Sequence, residues 1–273
     1  MNIFQSLILG VVQGLTEFIP VSSTAHLILV PWLLGWTLDQ DAHFVFDVLL
    51  QLGTLVAVVA YFWKDLLGMA GAMIGGVARG RPFEAEEARL GWLIVVATVP
   101  AVVIGLLFQK YFEGLHERPV IVAAILAGTA GLLFVSEEAG RHIRKLDSMT
   151  WLDAFIIGCS QALALLPGVS RSAATISGGL VRDLERPAAA RFSFLMSIPV
   201  LLGAGVVAVK DLVKLPHFTT YIPPLLWGTL AAAGVGFLSI RWLLDYVTRR
   251  SMALFAWYRI AAGLLSLVVF FLR

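Results

Sequence analysis

A glycine, an arginine and three hydroxyls interrupt an otherwise apolar run at Pro167-Gly168-Val169-Ser170-Arg171-Ser172-Ala173-Ala174-Thr175. That mixture suits an anion. Gly168 allows a tight turn, Ser170, Ser172 and Thr175 offer donors, and a helix starting here aims free N–H groups and a positive dipole end at one point. Arginine grips phosphate with a planar fork that lysine lacks, so a phosphate is the natural guest of Arg171. The alternative for Arg171 is a buried ion pair with Glu17 or Asp47. A second break, Gln13-Gly14-Leu15-Thr16-Glu17-Phe18-Ile19-Pro20-Val21-Ser22-Ser23-Thr24-Ala25-His26, supplies the carboxylate, imidazole and further hydroxyls that the first lacks. Together the two breaks read as a phosphate-handling site.

Within the second break, Gln13 and Glu17 are four residues apart and share a helix face pointing toward Pro20. Ser22-Ser23-Thr24 form a ready helix N-cap, and one of the three hydroxyls is expected to do nothing more than cap. Ser22 is placed to donate to phosphate. His26 follows Ser23 by three residues, which pairs a hydroxyl nucleophile with an imidazole base. The competing readings are that Gln13 and Glu17 hydrogen-bond neighbouring helices and that His26 is a satisfied core residue. Asp47 with Gln51, and Arg259 beside Tyr258, either line the site or hold helices together.

These residues need elements to hold them at membrane depth. The chain of 273 residues is 59% hydrophobic and 14% charged, with a mean hydropathy of +0.87, which places it among all-α polytopic membrane proteins as a single integral domain over 1–273. A net charge of +2 gives no case for nucleic acid, and the single cysteine, Cys159, excludes an internal disulfide or a cysteine-rich metal site. The first residues lack the basic segment of a cleaved signal, so no processing is expected. Six apolar segments are long enough to span a bilayer, at about 43–63, 91–109, 119–137, 190–209, 223–244 and 253–272. The stretches 2–36 and 151–182 are each split by a polar, proline-containing break, and are expected to be re-entrant helix–loop–helix hairpins.

A shift of 148 residues lays Gly10 on Gly158, Gln13 on Gln161, Leu15 on Leu163 and Ser22 on Ser170. Two pseudo-repeats follow, about 1–140 and 150–273, each a broken hairpin plus three spans. Because three is odd, the second repeat is expected to lie inverted, with both breaks meeting near the midplane. Thirteen cations then fall on one side (Lys64, Arg79, Arg81, Arg89, Arg141, Arg144, Lys145, Arg182, Arg186, Arg191, Arg241, Arg249 and Arg250). Five fall on the other, namely Lys110, Arg118, Lys210, Lys214 and Arg273. The richer side is expected to be cytoplasmic, with both termini outside.

Read together, the segments 13–26, Gln51-Leu52-Gly53 and 167–179 make the chain resemble, over nearly its whole length, the undecaprenyl-diphosphatase family of bacterial membrane enzymes known for bacitracin resistance. One departure matters. The family's first motif starts with Glu or Gln and ends with Glu four positions on; here it starts with Gln13, which leaves Glu17 as the dependable carboxylate and weakens a two-carboxylate metal site. The resemblance implies hydrolysis of undecaprenyl diphosphate to the monophosphate and inorganic phosphate, recycling the lipid carrier for peptidoglycan and other envelope polymers. It implies a multi-pass protein of the bacterial plasma membrane whose site faces the extracytoplasmic side. Its partners would be a prenyl diphosphate lipid, the bilayer and a second copy of the chain. Glu17, Ser23, His26 and Arg171 are the expected catalytic residues; Gln13, Ser22, Gly168, Ser170, Ser172, Thr175 and Arg259 are expected to bind substrate. Arg171, Ser170 and Thr175 would hold the terminal phosphate while Ser23, activated by His26, attacks it. Glu17 would orient His26 or hold a divalent cation, magnesium or calcium, and no organic cofactor is expected. In a rival scheme His26 itself attacks or activates water. Inverted repeats also suit a transporter that flips a lipid phosphate, but the pairing of Ser23 with His26 favours the enzyme. A plain membrane scaffold leaves the polar breaks unexplained.

Overall fold

The computed structural model describes residues 2–36, 40–116, 118–214 and 217–272, with the side chains of 40–44, 109–113 and 116 outside that description. The described chain is helical; its one β feature is an isolated bridge between Arg144 and Leu184. The helices are α1 (Ile3–Thr16), α2 (Ser23–Leu33), α3 (Gln40–Ala78), α4 (Glu86–His116), α5 (Pro119–Gly128) and α6 (Gly131–Ala139). They continue with α7 (Trp151–Leu163), α8 (Arg171–Val181), α9 (Arg186–Lys214), α10 (Ile222–Tyr246) and α11 (Ala253–Leu272). Among the described residues six segments are long and apolar enough to cross a bilayer: Val45–Ala78, Glu86–Phe108, Pro119–Ala139, Arg186–Lys214, Phe218–Tyr246 and Ala253–Leu272. This is a multi-pass membrane protein.

Three of the expected spans differ in extent. The span expected over 43–63 lies in a helix that runs on past the charged pair Lys64-Asp65 to Ala78, with a kink at Phe62. Both charges are accommodated sideways: Lys64 lies 5.6 Å from the centroid of the Trp63 ring, and Asp65 pairs with Arg191 at 2.9 Å. α4 likewise runs beyond 91–109 and kinks at Phe108. The span over 119–137 is two helices, broken at Thr129-Ala130 between Gly128 and Gly131. Thr129 there returns its hydroxyl to the Ile125 carbonyl at 2.6 Å. Lys110 and Arg273, two of the five cations on the poorer side, lie outside the described side chains.

The split stretches form two helix–break–helix pairs, α1–α2 and α7–α8. At 1.5 Å per residue their members are only about 17–21 Å long, short of the ~30 Å hydrocarbon core. Shifted by 148 residues, the start of α1 at Ile3 falls on the start of α7 at Trp151, and the start of α2 at Ser23 on the start of α8 at Arg171. The first helix of each pair packs on a helix from the other half of the chain. α1 lies on α10, where Gly10 and Gly228 let the two backbones touch, and α7 lies on α4, where Gly158 meets the Ala97 carbonyl. The foot of the α7–α8 pair is fastened by charge. Buried Asp153 takes Arg144 Nη2 at 2.7 Å and Arg182 Nε at 2.7 Å, while Thr150 caps the helix in a reciprocal box with Asp153. Between the halves the core is aromatic, with Phe18 set edge-on to Phe194 at 5.1 Å and both fully buried.

Candidate active site

Each pair turns through a serine in the left-handed region, Ser22 with φ 75° and Ser170 with φ 71°. For a non-glycine residue that conformation costs on the order of 1–3 kcal/mol, and such strain collects at functional sites. Both serines cap the helix that follows. Ser22 Oγ accepts from the Ala25 N–H at 3.3 Å and Ser170 Oγ from the Ala173 N–H at 3.2 Å. Ser22 is thus the capping hydroxyl of its run, and its own O–H proton stays available to a guest. Gly168 has φ 103° and lies so close to the Val122 carbonyl that a Cβ would not fit. The two caps bring the first helical residues after each break, Ser23 and Arg171, to one carboxylate. Ser23 Oγ donates to Glu17 Oε2 at 2.7 Å, and Arg171 Nη2 donates to Glu17 Oε1 at 3.0 Å. Gln13 Nε2 adds a third donor to Glu17 Oε2 at 2.9 Å and also reaches Thr54 Oγ1 at 3.3 Å. Arg171 is steadied by the Ser193 carbonyl at 3.1 Å, while its Nε finds no partner among the described residues.

These groups border a cavity of about 500 Å³. Its polar end is formed by Glu17, Ser22, Ser23, Thr24, Gln161, Gly168, Ser170 and Arg171. Its walls are apolar, Ala101 to Leu106 from α4 and Pro199 to Ala208 from α9, and they lead toward Asp211. A site with one charged end and one greasy wall matches an amphiphile whose head is anionic.

Five expected site residues lie elsewhere. His26 does not meet Ser23: its Nδ1 is 2.8 Å from the Ser22 carbonyl and its Nε2 2.8 Å from the Tyr258 hydroxyl, with the two rings stacked at 5.6 Å. A carbonyl only accepts, so Nδ1 carries a proton, and in the neutral ring Nε2 then accepts from Tyr258. The i, i+3 spacing put both residues on one side of α2, but Ser23 turns back into the break, to a carboxylate six residues earlier. Gln13 orients Glu17 and does not border the cavity. Ser172 ties the second break to the first through the Ile19 carbonyl at 3.3 Å. Thr175 is fully buried and turns toward α9, bonded to the Arg171 carbonyl at 2.8 Å and Ser193 Oγ at 2.6 Å. Arg259 is also fully buried; its Nη2 donates to the carbonyls of Gly168 at 3.1 Å and Val169 at 2.9 Å and to Thr129 Oγ1. It shapes the second break from behind.

Thr54, Thr129, Ser193 and Gln161 were not singled out as site residues. Gln161 carried a signal, its alignment with Gln13; the others are isolated hydroxyls in apolar helices, which spacing cannot assign. A divalent cation on Glu17 does not fit these residues. Both carboxylate oxygens already accept from donors, a guanidinium sits 3.0 Å away, and no group of three or more potential His, Cys, Asp or Glu ligands occurs among the described residues.

Residues 6–265 match the family model described as Bacitracin resistance protein BacA. A Rubrobacter xylanophilus protein is 45% identical over 266 residues, 97% of each chain. One from Moorella thermoacetica is 43% identical over the whole of both chains, and one from Chlorobaculum tepidum is 43% identical over 97% of this chain and 95% of its own. All three are named undecaprenyl-diphosphatase. With a match over nearly its full length and its two breaks closed on one carboxylate, the chain belongs to the BacA family of bacitracin resistance proteins.

Proposed function

We propose that this protein hydrolyses undecaprenyl diphosphate to undecaprenyl phosphate and inorganic phosphate, with Ser23 as nucleophile and Glu17 as its base. The observation that carries it is the Ser23 hydroxyl held 2.7 Å from a carboxylate that Arg171 also contacts, at the polar end of an otherwise apolar cavity. The terminal phosphate enters between the first turns of α2 and α8, whose leading N–H groups have no intrahelical partners. Arg171 and the Ser22 and Ser170 hydroxyls draw charge from its non-bridging oxygens. Ser23 Oγ forms the new bond to that phosphorus as its proton passes to Glu17 Oε2. The bridging P–O bond breaks, and its electron pair leaves with the prenyl monophosphate. Water then attacks the phosphoserine, releasing inorganic phosphate and restoring the serine.

Acid quenching of protein mixed with a long-chain prenyl diphosphate labelled in its terminal phosphate should leave label on the wild type and none on Ser23→Ala. Turnover by wild type with neither a labelled protein nor a burst of lipid monophosphate would mean that water attacks directly.

The cavity belongs, in this reading, to the outer face of the bacterial plasma membrane, with α1–α2 and α7–α8 as re-entrant pairs in two inverted repeats. Support comes from the charge imbalance: Arg79, Arg81, Arg141, Lys145, Arg249 and Arg250 mark one end of the bundle, against Arg118, Lys210 and Lys214 at the other. In a Cys159→Ser background, an impermeant thiol reagent on intact cells should label Thr219→Cys and spare Glu84→Cys, both exposed positions. The opposite pattern would invert the topology.

A further inference from the structure

Gln161 is 2% exposed, and neither its amide nitrogen nor its amide oxygen has a hydrogen-bond partner among the described residues. It nevertheless borders the cavity with Glu17, Ser170 and Arg171. A buried amide with both ends unmet is costly unless a guest meets them. The comparison with Gln13, which the 148-residue offset lays on Gln161, shows why it is free. Four residues after Gln13 stands Glu17, which accepts the Gln13 amide at 2.9 Å; four residues after Gln161 stands Leu165, which accepts nothing.

Its depth indicates which part of the guest it meets. Gly158 lies on Ala97 and Gly105 on Leu165, so α7 and α4 run side by side in the same direction. Gln161 is therefore level with Ala101, about one turn deeper than the break. The apolar walls climb the other way, from Pro199 to Asp211 on α9, about 18 Å at 1.5 Å per residue. Gln161 thus stands at the inner end of the cavity, level with the foot of the apolar wall at Ala101. A prenyl chain has to leave along those walls, which leaves only the unsubstituted end of the diphosphate to reach the amide.

We infer that Gln161 is a substrate-binding residue whose Nε2–H donates to a non-bridging oxygen of the terminal phosphate. The inference rests on the diphosphatase reading. The test uses full-length wild type, Gln161→Leu and Gln161→Glu with a long-chain prenyl diphosphate, reading kcat/KM, inhibition by inorganic phosphate and the thermal midpoint. Gln161→Leu should lose about 10- to 100-fold in kcat/KM, the span of one hydrogen bond to a charged group. Its inhibition constant for inorganic phosphate should rise while the thermal midpoint stays level or climbs, because an unmet amide has gone. Gln161→Glu, which sets a carboxylate against the phosphate, should lose more. Unchanged kcat/KM and phosphate inhibition in Gln161→Leu would overturn the assignment, as would a loss of activity that tracks a lower thermal midpoint with phosphate inhibition intact. If the leucine variant does not fold, the near-isosteric glutamate variant is judged on kcat/KM and phosphate inhibition. A wild type that releases no phosphate removes the diphosphatase reading itself, whereas an active wild type with an unaffected Gln161→Leu removes only this residue.

Discussion

Arg171→Ala should release inorganic phosphate from a long-chain prenyl diphosphate about 10³- to 10⁵-fold more slowly than wild type, the range seen when an arginine that neutralises a transferring phosphoryl group is removed. The guanidinium is the cation at the polar end of the cavity, 3.0 Å from Glu17 and 3.1 Å from the Ser193 carbonyl, with its Nε free for a guest. Arg171→Lys should recover only part of the rate, because an ammonium cannot hold Glu17, the Ser193 carbonyl and a phosphate oxygen in one plane. Losing the partner of a buried carboxylate also destabilises, so turnover has to be measured on protein shown to be folded by its thermal midpoint. Wild-type turnover in folded Arg171→Ala would sink the assignment and leave the Arg171–Glu17 pair as a structural contact.

Glu17→Gln and Ser23→Ala should each lower kcat by about 10²- to 10⁴-fold, with binding of the lipid largely retained. A hydroxyl attacks poorly unless a neighbour takes its proton, and the acceptor that touches Ser23 Oγ is Glu17 Oε2. Because the two act as one unit, the double variant should be little slower than the slower single one. His26→Ala should fall much less, since its ring nitrogens are engaged by the Ser22 carbonyl and the Tyr258 hydroxyl and neither contacts Ser23. A dead His26→Ala beside a near-normal Ser23→Ala would reverse this order and return the chemistry to the histidine.

The breaks were legible because polar groups at membrane depth are conspicuous: Glu17 and Arg171 stand out in apolar runs, and the offset of 148 that aligns Ser22 with Ser170 aligns the left-handed caps as well. What spacing conveys is which face of a helix a residue occupies. Which partner waits on that face is decided by packing between distant segments. Arg171 and Glu17 are 154 residues apart, and Arg259 and Gly168 are 91 apart. Spacing therefore pairs Ser23 with the nearby imidazole, whereas its hydrogen bond runs to the carboxylate across the turn, and spacing is equally silent on the bonds of Thr175 to Ser193 and of Arg259 to the second break. The end of α3 is likewise not legible in the expected span over 43–63, because the helix carries Lys64 over Trp63 and Asp65 against Arg191 and runs on to Ala78.

The hold of Arg259 on the Gly168 and Val169 carbonyls also bears on biogenesis. Ribosomes make the chain from its N-terminus, so the serines, the glutamate and Arg171 have all been synthesised before the helix that carries Arg259 exists. Until α11 inserts beside α5, the carbonyls of the second break have no guanidinium behind them and the left-handed turn at Ser170 lacks its brace. A nascent chain that extends only as far as α10 therefore holds Glu17, Ser23 and Arg171 without the guanidinium that braces the second break.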